Sequence, residues 1–135
     1  MARRGSSFGF LGRFGRSEDL RLLDDALRAF DLHPARVPEG AKLALVNLMK
    51  DHDPDGEPPA HAYPFTAWLF AYCALGAEAF TLANGPQPAA DAERRLEAAL
   101  AAGEGFDADI VLLTLHAKLV HPKLVEQWGL EARED

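Results

Sequence analysis

Apolar residues recur along this chain at three- and four-residue spacing from about residue 17 onward, the period of an amphipathic helix. Ser17 is a predicted N-cap. Glu18 and Asp19 suit the positive end of a helix, and Leu20, Leu23, Leu27 and Phe30 form one face that should end near His33-Pro34. Pro38 and Glu39 fit the first turn of a second helix carrying Leu43, Leu45, Val46, Leu48 and Met49. The acidic, proline-rich stretch from Asp51 to Pro59 stops that helix.

From Pro64 to Leu75 the pattern loses its polar side altogether, which predicts a helix surrounded by the others. Gly76 ends or bends it, and a further turn or two follows before Asn84-Gly85-Pro86. An Ala-rich helix is expected from Ala89 to Ala102 at the periphery, stopped by Gly103. Asp107 should cap an apolar helix from Asp109 to His121, and Pro122 should open a short one through Trp128 to Gly129. No alternating strand pattern, hairpin signal or solenoid repeat occurs. The expected class is all-α, an irregular or orthogonal bundle of five to six helices. Residues 17–130 should form a single domain, after an arm at residues 1–16 and before a solvated tail at 131–135.

Composition alters this picture at one place. The net charge is −7, yet residues 1–16 hold Arg3, Arg4, Arg13 and Arg16 and no acid, so removing those four arginines leaves the rest at −11. Such a body argues against a broad nucleic-acid surface, which needs clustered cations to neutralise phosphate. Glycines at 5, 9, 12 and 15 disfavour a helix in this segment on its own. Phe8, Phe10, Leu11 and Phe14, interleaved with Arg13 and Arg16, instead suit docking in a partner groove or on a second copy. The same composition would serve for stacking on single-stranded nucleic acid, resembles an organellar transit peptide, or would pack across the acidic body itself.

Cys73 is the only cysteine, which removes internal disulfides and points to a reducing, cytoplasmic setting. The longest uncharged stretch, residues 58–77, is too interrupted to span a bilayer, and no apolar signal core is present near the N-terminus.

Candidate chemistry is sparse. Asp51, Asp53 and Asp55, followed by Gly56, match the opening of a calcium-binding EF-hand loop, but Ala62 stands where a bidentate Glu belongs and three prolines stiffen the segment. An ordinary acidic loop explains it better, and no metal site is expected. His116 has Leu112, Leu113, Leu119 and Val120 at helical spacing, so burial among them is expected. Glu78 is the only charge between Glu57 and Asp91 and would be the natural partner for that ring if both were buried; as a first-turn residue of a new helix it would be solvated instead. His33 is expected to meet the negative end of its own helix. No nucleophile elbow, phosphate loop, dinucleotide fingerprint or zinc-protease motif occurs, and no motif calls for a cofactor. The leading expectation is therefore a non-enzymatic, bacterial-type interaction or regulatory protein acting through its arm. The alternatives are a ligand-binding or enzymatic pocket at Glu78 and His116, and nucleic-acid binding through the arm.

Overall fold

The computed structural model describes residues 9–130, with side chains from residue 18 onward. It is all-helical: α1 (Gly9–Ala29), a 3-10 turn (Pro34–Arg36), α2 (Glu39–Asp51), α3 (Ala62–Leu75), α4 (Ala77–Asn84), α5 (Pro86–Ala102), α6 (Phe106–His116) and α7 (Pro122–Trp128). That is seven α-helices among the described residues, where five to six were expected. No strand occurs among them, and no helix among them is long and apolar enough to cross a membrane.

Helix α3 is the axis of the fold. Leu69, Phe70, Ala71, Tyr72 and Cys73 are buried in succession, which leaves no side for solvent. Helices α1, α2, α4, α5 and α6 all pack against it. Leu23 and Leu27 of α1, Leu45 and Val46 of α2, Phe80 of α4, Leu96 of α5 and Ile110 of α6 complete one continuous core. Phe30 stacks on Trp68 and Phe80, with ring centroids 5.9 and 6.0 Å away, and Phe80 meets Tyr72 edge-on at 5.5 Å. Polar groups at the edge of this cluster are satisfied: the Asn84 amide donates to Phe30 O, and Trp68 Nε1 donates to Pro88 O.

Several helix ends differ from expectation. Helix α1 begins at Gly9 and runs through Ser17, which is therefore not its N-cap. A helix already nucleated on a packed face extends at a cost of about 1 kcal/mol for each glycine, where an isolated segment would also bear the nucleation cost. The same helix closes before His33. Asp31 adopts a left-handed conformation (φ 69°), while Leu32 N–H donates to Leu27 O and Asp31 N–H to Arg28 O. Helix α6 stops at His116 rather than His121 by the same device, with Lys118 at φ 62° and Leu119 N–H donating to Thr114 O. Both are Schellman closures without the usual glycine. Helix α5 starts at Pro86, where proline's missing N–H costs nothing. Helix α6 starts at Phe106, which puts Asp107 in its first turn instead of at the cap.

Gly76 joins α3 to α4 at φ 90°, ψ 160°, and a Cβ there would lie 2.7 Å from His121 Cγ. The chain closes on itself at this point, since His121 N–H donates to Cys73 O at 2.8 Å. Gly103 also has a positive φ of 73°, but space around it is open. Gly76→Ala is expected to cost about 2–3 kcal/mol, combining backbone strain with displacement of His121, and Gly103→Ala only about 1 kcal/mol. Urea unfolding of both variants measures this. Equal losses would show that the His121 approach carries no weight.

Candidate functional site

Helix α6 supplies more apolar positions than its neighbours cover. Ile110, Val111 and Thr114 face the core, while Leu112 remains 49% exposed. On the adjoining α5, Ala89, Ala92, Leu96 and Ala99 are buried and Leu100 is 37% exposed. Between the C-terminal half of α5, the outer face of α6 and the end of α7 lies a groove of about 330 Å³, walled by Leu100, Val111, Leu112, Leu115, Trp128 and Leu130. It shares Leu115 and Leu130 with an open trough of about 680 Å³ that continues past Val120 and Val125. Trp128 Nε1–H is buried without an acceptor among the described residues, a condition that costs about 1–3 kcal/mol. Asp109, Lys118 and Glu126 edge these two spaces.

The pair proposed from sequence does not form a buried site. Glu78 is exposed in the first turn of α4, and His116 is exposed at the end of α6. The apolar neighbours of His116 misled because they include Leu112, itself on the uncovered side of α6. Glu78 instead lines a cleft of about 420 Å³ with His121, Lys123 and Gln127. His121 belongs to α7, not α6: its Nδ1 accepts the Lys123 N–H at 3.1 Å and caps that helix. Its neutral form therefore carries the ring proton on Nε2. His33 does the same for the 3-10 turn, accepting the Ala35 N–H at 3.0 Å, so it does not serve the end of α1.

The acidic loop closes on itself rather than around a central space. Asp53 Oδ2 accepts the N–H groups of Asp55 and Glu57, both at 3.0 Å, which folds the loop around its own carboxylate. Asp51 and Asp55 are exposed, and α3 begins at Ala62, where the closing ligand would be needed. No group of three or more metal-capable side chains gathers among the described residues. The side chains of Phe8, Phe10, Leu11, Arg13, Phe14 and Arg16 lie outside those described.

Three polar contacts were not anticipated from the sequence. Arg95 grips Asp107 through two bonds at 2.9 and 2.8 Å, donates to Phe65 O, and lies 3.8 Å over the Phe65 ring. Asp19 accepts from Tyr63 OH at 2.8 Å and pairs with Lys50 at 2.9 Å. Burial, and then that bond to Asp19, raise the Tyr63 hydroxyl above the usual phenol range. His52 Nε2 meets Asp109 Oδ2 at 3.1 Å, linking α2 to α6.

Compared with known proteins, the chain matches no family model, no curated protein and no solved structure.

Cys73 is buried, and that burial pushes its thiol up to about 12, so it has none of the thiolate character of a nucleophile. Its ordinary value is 9.0, so above pH 9 the unfolded chain gives up this proton first and the folded state loses ground until the native value is reached. Chemical unfolding at stepwise pH should show stability intact below 9 and falling above it, by at most about 1.4 kcal/mol per pH unit from this group. Cys73→Ala should flatten that slope; an unchanged slope would exclude the thiol as its source.

Proposed function

We propose that this chain is a non-enzymatic interaction or regulatory protein of a reducing, cytoplasmic setting, and that residues 1–16 dock a protein partner or a second copy. The observation that supports it best is the groove beside α6, an open apolar surface with two exposed leucines and an unanswered indole N–H. A protein with such a surface and with an aromatic, cationic segment in Phe8, Phe10, Leu11, Arg13, Phe14 and Arg16 carries the anchors from which docking energy comes. By contrast, His33 and His121 are used as helix caps, and Arg21, Lys42 and Arg95 are held by Glu18, Asp24 and Asp107. A pocket built on Glu78 and His116 has less support, since both are exposed and the cleft at Glu78 is lined by His121 rather than His116.

The contacts of Asp19 with Tyr63 and Lys50 lie after the proposed docking segment. Deleting residues 1–16 should therefore leave the circular dichroism spectrum helical and shift stability by less than about 1 kcal/mol, while oligomeric state by light scattering, or capture of the partner, changes. Unchanged behaviour in both assays removes the proposal. Nucleic-acid binding through the same arginines would instead show affinity that drops steeply with salt.

A further inference from the structure

Helices α4 and α7 enclose the cleft of about 420 Å³ at Glu78, a size within the range of roughly 300–1,000 Å³ in which small ligands are usually held. Its two walls are set by helical spacing. On α4, Glu78 and Leu82 stand one turn apart and both line the cleft; on α7, Lys123 and Gln127 do the same. The walls are fixed against each other, because Gly76 has no Cβ to obstruct His121 and the His121 N–H donates to Cys73 O at 2.8 Å. The buried side chains of Leu75 and Leu124 complete the lining.

The polar groups of this cleft are unanswered by the protein itself. The side chains of Glu78, Lys123 and Gln127 make no hydrogen bond or ion pair among the described residues, and neither does the ring N–H that His121 keeps once its Nδ1 has accepted the Lys123 N–H. Elsewhere on the body Lys42, Lys50 and Arg95 each meet a carboxylate. Leu82 is 83% exposed, more than any other large apolar side chain among the described residues. Opposite charges thus stand on opposite walls without pairing, next to an uncovered aliphatic chain. A simple anion would gain Lys123 and be repelled by Glu78, and a simple cation the reverse; a zwitterion answers both at once.

We propose that this cleft binds a free α-amino acid with an apolar side chain. Its ammonium donates to Glu78, its carboxylate accepts from Lys123, and its side chain covers Leu82. The inference stands on the helical body alone and is independent of the docking role proposed for residues 1–16.

Titrating the isotope-labelled full chain with L-leucine, and following its amide signals by NMR, tests this. Saturable shifts are expected at Ala77–Ala79 and Lys123–Gln127. Leucinamide, which lacks the carboxylate, and N-acetyl-leucine, which lacks the ammonium, should each bind about tenfold more weakly. These two probes also stand for the two ends of a peptide. Glu78→Gln should weaken leucine about tenfold and leave N-acetyl-leucine no weaker, while Lys123→Gln should weaken leucine and leave leucinamide no weaker. Both side chains are exposed, so neither change should alter the helical spectrum; if one does, the two analogues on the unaltered protein decide. No saturable shift with L-leucine, L-methionine or L-phenylalanine overturns the proposal, and so do shifts confined to other helices. Leucinamide or N-acetyl-leucine binding as tightly as leucine also overturns it, and assigns the cleft to a chain terminus instead.

Discussion

Helix α3 has no polar side, and every other element is arranged around that constraint. A helix buried all round must be covered from all directions, which here takes five neighbours: α1, α2, α4, α5 and α6. In a chain of 135 residues these coverings have to be short and sharply joined. The turn at Gly76 sends α4 directly back against the helix it follows, and the same glycine leaves room for His121 to bring α7 to the end of α3. Tyr72 illustrates the environment that results: burial holds its hydroxyl proton up to about 12.

Covering an apolar helix also fixes where charges are placed. Asp19 would sit on the packed side of α1, and it is tolerated there because Tyr63 and Lys50 both answer it. Arg95 does the corresponding work on the opposite side. Its side chain is mostly buried, and its planar fork engages Asp107 of α6 while its face covers Phe65 of α3. A lysine could supply the charge but not the two parallel bonds or the stacking. These contacts tie three helices together without placing an unpaired charge in the core.

The centre of the fold was legible in the sequence because it depends on hydrophobic period alone. The unbroken apolar run through Trp68, Leu69, Phe70 and Tyr72 can form only an interior helix. Helix ends were less legible, since Asp31 and Lys118 occupy left-handed positions where a sequence reading looks for glycine. One signal was present and missed: His33-Pro34 and His121-Pro122 are the same dipeptide. Proline at a first helical position makes the residue before it the cap, and both imidazoles are used in that way. Arg95 was obscured because Ala89, Ala92, Leu96 and Ala99 form a buried stripe in which alanine hides the period.

The groove could not be read because hydrophobic period says which residues are apolar and not how many helices are available to cover them. Helix α6 is nearly as apolar around its circumference as α3, and sequence alone gives the two the same expectation. Their difference is one of position. Helix α3 lies where five helices converge, while α6 packs mainly against α2, α3 and α5. His116 and Leu112 were both expected inside, and both are exposed. The short α7 ends against one part of the outer face of α6, and Trp128 N–H has no acceptor among the described residues. A bundle of this size thus completes the covering of one apolar helix and leaves a second partly uncovered along one edge, where Leu112 meets water.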